Sequence, residues 1–223
     1  MSKRPLLLAV FLLGSFAPVQ AVTLFSTLGR SSFDAVEMNG INVRLANDFQ
    51  TGAQGATITG FSVALGNLDD IAHTFAAHIF ADNAGVPGGT LVGSFDTSVS
   101  VNAGTGGTGN IFTFTDAGIA LAAGTTYWVA LEMLQGINSP GDNAFWWLSD
   151  DELTPVDAVG SFLNVPATGA QKSTDSGASY SDYSALVSNF RFSLEGTLAP
   201  VPEPSRALLA ALGLLALITR RRR

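Results

Sequence analysis

The stretch that decides the fold is Thr-Thr-Tyr-Trp-Val-Ala-Leu-Glu-Met-Leu, residues 125–134, because apolar residues recur there with a period of two. One face of this stretch carries Tyr127, Val129, Leu131 and Met133. Glu132 belongs to the other face. Side chains of a β-strand point alternately to the two faces of a sheet, so the pattern predicts a strand with one buried face.

Short runs with the same strand character recur on both sides of this stretch, separated by turn residues. The runs are 41–49, 56–66, 74–81, 90–95, 110–115, 144–148 and 186–197. Within the second run, the odd-numbered positions from Thr57 to Leu65 are expected to share the apolar face. Segment 82–89 is rich in Gly and predicts a tight reversal, whereas 102–110 and 172–184 are predicted to be loops. We therefore predict an all-β fold, an antiparallel β-sandwich with a jelly-roll-like arrangement.

The N-terminal segment differs from this body and has the pattern of a secretory signal peptide. Lys3 and Arg4 form a charged region, and residues 6–13 form an apolar region. Val19 and Ala21 are small or short residues at positions −3 and −1 of a cleavage site. We predict a signal helix in residues 1–21, cleavage after Ala21, and use of the Sec export machinery.

The C-terminal segment, residues 198–223, has an independent pattern of its own. The motif Pro202, Glu203 and Pro204 precedes an apolar run at 207–218. The chain then ends in a cluster of basic residues, Arg220, Arg221, Arg222 and Arg223. The run of 12 residues is shorter than the roughly 20 that a full bilayer span needs. The arginines are expected to stay on the cytoplasmic side of a membrane. We predict a short membrane-sorting helix that acts as a membrane anchor.

The two ends together resemble the PEP-CTERM class of exported bacterial proteins. In that class, a membrane-embedded exosortase recognises the Pro-Glu-Pro motif, the apolar segment and the terminal arginines. The resemblance implies a Gram-negative bacterium, transient anchoring in the inner membrane, cleavage near the motif, and delivery to the cell surface or extracellular matrix. It implies no activity for the body, which we place at residues 22–197.

The body itself resembles a second group. The residues that carry this resemblance are 61–65, 78–88 and 121–131, followed by Trp146 and Trp147. They are similar to the choice-of-anchor R surface domains, which are β-rich modules joined to different C-terminal anchors. This resemblance implies surface exposure and supplies no catalytic residues.

Composition limits the chemistry of the body. Seven of the 11 basic residues belong to the two terminal segments, which leaves four basic residues against 18 acidic ones if Glu203 is retained, a net charge of −14. Nucleic-acid binding needs clusters of Lys and Arg, so we predict no nucleic-acid partner. The chain has no cysteine, which excludes thiol catalysis, Cys-zinc sites and Fe–S clusters.

Two patterns look like sites but have simpler interpretations. Residues 104–109 match G-x-G-x-x-G, yet a dinucleotide site needs a helix after this loop and residues 111–115 predict a strand. His73 and His78 lie five positions apart in an extended run. They are expected on opposite faces of a strand and therefore cannot share a metal ion.

The remaining candidates are acidic and aromatic. Asp150, Asp151 and Glu152 are adjacent, which favours solvated loop acids; structural calcium is the alternative, and we predict no other cofactor. Of Trp146 and Trp147, neighbours in a strand, one should face the core and one should face outward. An exposed indole can stack on a sugar ring, whereas a buried one only fills the core.

These patterns predict an exported protein with a structural or adhesive role at the surface or in the matrix, and no enzyme. The alternative is a non-catalytic carbohydrate-binding module that holds exopolysaccharide through Trp146 or Trp147. A matrix glycan hydrolase comes third, because it would need two carboxylates that face each other across a sugar.

Overall fold

A computed structural model describes residues 20–38, 40–68, 70–106, 110–135, 144–149, 162–163, 170–182 and 189–200. In this part of the chain every helix-or-strand element is a β-strand. The predicted signal helix and sorting helix fall outside it, apart from Gln20, Ala21 and residues 198–200. None of the described residues forms a helix with the length and apolar character needed to cross a membrane.

The strands of the described residues are numbered in chain order. They are β1 (Val22–Ser26), β2 (Ser32–Met38), β3 (Arg44–Thr51), β4 (Ala56–Asn67), β5 (His73–Asp82), β6 (Pro87–Ser94), β7 (Val99–Val101), β8 (Ile111–Leu121), β9 (Thr126–Gln135), β10 (Ala144–Ser149), β11 (Phe162–Leu163), β12 (Ala170–Ser173), β13 (Ser181–Asp182) and β14 (Phe192–Leu198). Their pairings are all antiparallel among these residues, which confirms the predicted class.

The first sheet is built around the long strand β4. Residues 56–63 of β4 pair with β14 on one side, and residues 56–64 pair with β8 on the other. The last three residues of β4 pair with β10 instead. Strand β1 adds to β14, and β2 adds to β10, so two shorter pairs of strands lie along one side of β4.

The second sheet has the order β13-β12-β3-β9-β5-β6, with β11 also on β3 and β7 also on β5. Strand β9, which contains the alternating stretch, lies between β3 and β5. Val129, Leu131 and Met133 are buried in the main core, and Glu132 points to the other face, as predicted. A central position explains why this strand carries the clearest alternation.

The two sheets share one hydrophobic core, because a single cluster of buried side chains draws from both. Phe61 of β4 is fully buried at its centre. Its ring lies 5.6 to 6.0 Å from the rings of Phe95, Phe114, Trp146 and Phe192. Burying one such side chain stabilises a fold by roughly 1.5 to 3 kcal/mol. Four of these five rings come from the first sheet, and Phe95 follows β6 of the second sheet.

Strand β4 corrects the predicted parity of residues 57–65. The register shifts between Ile58 and Gly60, which marks a β-bulge. A bulge inserts one residue into a strand and reverses the alternation beyond it. Ile58 and Phe61 are consequently both fully buried in the core, whereas Thr57 and Thr59 are only half-buried.

The predicted loop at 172–184 is partly wrong, because β12 and β13 form a small hairpin there. The hairpin extends the second sheet through the pairing of β12 with β3. Its turn is ordered by Asp175, which accepts hydrogen bonds from Ser173 and Ser179. These bonds, those from Ser179 first, lower the pKa of Asp175 to about 2. Hydrogen bonds among polar turn residues therefore order this edge hairpin, which has no apolar alternation that would predict it.

Candidate functional site

The outer face of the second sheet carries the densest group of functional side chains. Ala46, Trp128 and Ala130 form a buried cluster separate from the main core, with Phe80 and Tyr180 packed against it. Cross-strand register creates the group, because Asp48 and Phe80 lie opposite Trp128 on its two sides. The Trp128 indole donates to Asp82 at 2.8 Å. We call this group, together with the polar side chains beside it, the outer-face cluster.

Beside these aromatic residues, Glu132 binds two partners at once. Arg44 Nη2 lies 2.9 Å from Glu132 Oε1, and His78 Nε2 lies 3.1 Å from Glu132 Oε2. The second nitrogen of His78, Nδ1, lies 2.8 Å from the hydroxyl oxygen of Ser94. Arg44 stands directly opposite Glu132 in the ladder, and Ser94 stands directly opposite His78. The four side chains therefore form a continuous polar chain across β3, β9, β5 and β6.

The protonation state of His78 determines which atoms donate and which accept along this polar chain. Burial lowers the pKa of His78, the Glu132 carboxylate raises it, and Arg44 lowers it further, with a net shift below the usual value. The imidazole is accordingly neutral at pH 7 and has one donor and one acceptor nitrogen. An ionised carboxylate accepts hydrogen bonds and cannot donate one, so His78 Nε2 donates to Glu132. His78 Nδ1 then accepts a hydrogen bond from the Ser94 hydroxyl group.

A serine, a histidine and a carboxylate in hydrogen-bond contact are the residue types of a hydrolytic triad. Here, however, Glu132 also forms an ion pair with Arg44, and Ser94 is the last residue of strand β6. Serine nucleophiles of the elbow type stand on a strained strand-to-helix turn instead. The arrangement is better described as an ordered network that holds the outer face in one geometry.

His73 and His78 lie on opposite faces of β5, as predicted. His73 is fully buried, whereas the His78 side chain is 18% exposed. This placement keeps the two imidazoles from binding one metal ion together, and among the described residues no group of three or more His, Asp or Glu side chains is arranged to hold one.

The two adjacent tryptophans also divide as predicted, one inward and one outward. Trp146 is fully buried, stacks on Phe190 at 4.1 Å and donates to the carbonyl of Arg191. The prediction that Trp146 could stack on a sugar is therefore wrong, because its ring is enclosed by the core.

Trp147 remains the candidate for ligand stacking. It is half-buried and lies edge-on to Phe145, with the ring centres 4.9 Å apart. The Trp147 indole nitrogen is buried and has no hydrogen-bond partner in the part of the chain that the structure describes. An indole N–H without a partner is unusual when buried, since such donors normally find an acceptor.

The glycine-rich segment at 104–109 precedes a strand and does not have the context of a dinucleotide-binding loop. Gly104 adopts a positive φ of 66°, and Thr105 pairs with Asn67. The element that follows is β8, a strand, so the helix that a dinucleotide site requires is not formed there. Residues 107–109 are outside the described part.

Several predicted site residues also lie outside the described residues. They are Val19, the calcium candidates Asp150, Asp151 and Glu152, the motif residues Pro202, Glu203 and Pro204, and Arg220, Arg221, Arg222 and Arg223. Ala21 is described and exposed, one position before β1 begins.

No family model matches the chain, and no curated protein sequence matches it. The likeness to the PEP-CTERM class therefore depends on the motif, apolar run and arginines of the C-terminal segment. The likeness to the choice-of-anchor R domains depends on residues 61–65, 78–88 and 121–131 and the two tryptophans.

Proposed function

We propose that the chain is an exported β-sandwich of jelly-roll-like form with a structural or adhesive, non-catalytic role at the cell surface or in the extracellular matrix. Its partners are the Sec machinery, an exosortase and, transiently, the inner membrane. The observation that carries the proposal is an acidic, cysteine-free all-β body between two apolar terminal segments. The N-terminal segment has the pattern of a signal peptide, and the C-terminal segment has the pattern of a sorting signal.

The borders of the fold support this proposal. Strand β1 begins at Val22, directly after the expected cleavage site, and Ala21 is exposed. Strand β14 ends at Leu198, four positions before Pro202. Cleavage at the first site and near the second would remove no described strand, so the body can keep its core through both events.

Sorting is tested by changing the motif in the full chain. In the native host, a Pro202→Ala/Pro204→Ala variant should stay in the inner-membrane fraction, while the wild type reaches the surface or the medium. Pro200→Ala is the matched control, because it changes a neighbouring proline outside the motif. Equal sorting of the double variant and the wild type would contradict the proposal.

A second function, non-catalytic binding of exopolysaccharide, is favoured by one observation at Trp147. The half-buried Trp147 indole, edge-on to Phe145, offers an apolar surface on which a sugar ring can stack. On a glycan array, Trp147→Ala should lose binding, whereas Trp147→Phe should keep part of it. An array with no binding by the wild type would reject this function.

A further inference from the structure

The two chain ends leave the body at the same place. Val22, the first residue of β1, pairs with Gly196 near the end of β14, because the two strands are antiparallel neighbours. Leu198 ends β14 opposite Ala56, the first residue of β4. The predicted signal peptide and the predicted sorting segment therefore join the body at one end of one strand pair.

Two further segments, residues 52–55 and 122–125, meet at this end. Ala199 N donates to Gly55 O at 2.8 Å, Gly124 N donates to Gly52 O at 2.7 Å, and Thr51 N donates to Thr125 O at 3.0 Å. We call the group formed by residues 20–21, 52–55, 122–125 and 199–200 the tail-bearing end. Its hydrogen bonds make it a continuous surface rather than a set of separate loops.

The described residues that form the tail-bearing end carry no charged side chain. These residues are Gln, Ala, Gly, Thr and Pro, although the chain from Val22 to Pro204 carries a net charge of −14. Glu195 lies opposite Gly60 on one side and Thr23 on the other, three residues inward from Leu198 along β14, or about 10 Å at the rise of an extended strand. Asp82 lies near this end on β5, where it accepts hydrogen bonds from Trp128 and Gly85. An acidic body is repelled by an anionic membrane surface, so the tail-bearing end can approach most closely.

The opposite end of the sheets has a different character. Among the described residues it carries charges of both signs, at Arg44, Asp70, Lys172 and Asp175. Strand β4 separates the two ends by its 12 residues, which is about 40 Å. The segment 199–206 between β14 and the apolar run can span at most about 29 Å.

We infer that the tail-bearing end is a membrane-facing surface, docked against the lipid headgroups while the chain is anchored, so that the opposite end points away. This inference deepens the proposed sorting function and depends on it. The partner is the bilayer surface itself. The short segment 199–206 and the lack of charged side chains among the residues of the tail-bearing end both favour that contact. The opposite end, with the exposed side chains of Ile41, Leu68 and Leu134, is then the part presented to the surroundings.

The chain offers a matched pair of probe positions. Ala123 lies in the tail-bearing end and Ala103 lies at the opposite end, near the Asn67–Thr105 bridge. Both alanines are exposed, and both precede a glycine with φ above 60°, Gly124 and Gly104. Since the chain has no cysteine, Ala123→Cys and Ala103→Cys each provide a single labelling site.

The test places each labelled full-length variant in vesicles of phosphatidylcholine and phosphatidylglycerol that contain a nitroxide-headgroup lipid. We expect strong quenching of the dye in the Ala123→Cys variant and little in the Ala103→Cys variant, relative to vesicles without nitroxide. Equal or reversed quenching in protein that floats with the vesicles would overturn the orientation alone. Failure to float would overturn the anchoring as well, so the two failures can be told apart.

Discussion

At the scale of single residues, Glu132 has the most consequential position outside the core. It satisfies a guanidinium and an imidazole that are both largely withdrawn from water, since the side chains of Arg44 and His78 are 22% and 18% exposed. Removing one partner of such a network costs more than the network contributes, because the remaining groups lose their partner without regaining full hydration.

We therefore expect Glu132→Gln to lower the free energy of unfolding by about 1 to 3 kcal/mol. The matched control is Asp70→Asn, an exposed carboxylate whose replacement should change stability by less than about 0.5 kcal/mol. Urea denaturation of both variants checks the difference. Equal effects would show that the polar chain across the outer face contributes no stability.

His78 makes a separate prediction about pH. Its pKa is lowered in the folded state, chiefly by burial, so the unfolded chain binds the proton more readily. Stability from this group is present above the ordinary value of 6.5 and is lost as pH falls below it. The urea midpoint of the wild type should therefore fall more between pH 7.5 and pH 5 than that of His78→Asn. Identical pH dependence in the two proteins would contradict the assignment of a neutral His78.

At the scale of secondary-structure elements, bulges determine which side chains reach the core. One bulge lies in β4 at Thr59, because Ile58 and Gly60 pair with the consecutive residues Gly196 and Glu195 of β14. A Cβ atom at Gly196 would collide with the carbonyl oxygen of Thr57, and it would lie 3.0 Å from Ile58 Cα. Backbone cannot move aside as a side chain can, so this position needs glycine.

Gly196→Ala should consequently destabilise the body by about 3 kcal/mol or more, in the range of overpacking with backbone displacement. Gly88→Ala is the control, because the atoms nearest its new Cβ would lie at an ordinary distance of 3.6 Å or more. Thermal unfolding followed by circular dichroism measures both. A neutral Gly196→Ala variant would contradict the close approach of β14 to β4.

The elements also indicate what could be predicted from the sequence. Strand β9 was predictable because the residues that it places in the main core alternate along the sequence. The burial of Trp128 and Ala130 on its other face was not predicted. The parity of β4 was not, since a bulge changes which residues face inward without leaving a local signal. The polar chain from Arg44 to Ser94 was missed for a related reason. It depends on the register of four strands, and no local motif links residues 44, 78, 94 and 132.

At the scale of the whole molecule, one aromatic core joins the two sheets. Phe61→Ala should cost about 3 to 5 kcal/mol, because it removes the ring that contacts aromatic residues from several strands and leaves a cavity. Phe61→Leu keeps most of the volume and should cost much less. Denaturant midpoints compare the two, and a loss in Phe61→Leu as large as that in Phe61→Ala would contradict the view that filled volume at this position stabilises the core.

The whole molecule has features that the sequence predicts, such as the two terminal signals, and one that it does not, the position of the two ends beside each other. The signal-peptide pattern and the sorting pattern at the two ends can be recognised from the sequence without a structure. The acidic composition of the body can be read from the sequence in the same way. The position of those ends beside each other is a property of the sheet topology alone. It arises because the last strand pairs with the first, and nothing in the local sequence of either end predicts that pairing.

The most direct test of export and trimming is the intact mass of the protein recovered from the surface or matrix of its native host. We predict a mass that corresponds to a chain beginning at Val22 and ending near Pro204. A mass that still includes residues 1–21, or that extends to Arg223, would contradict the proposal that both terminal segments are removed.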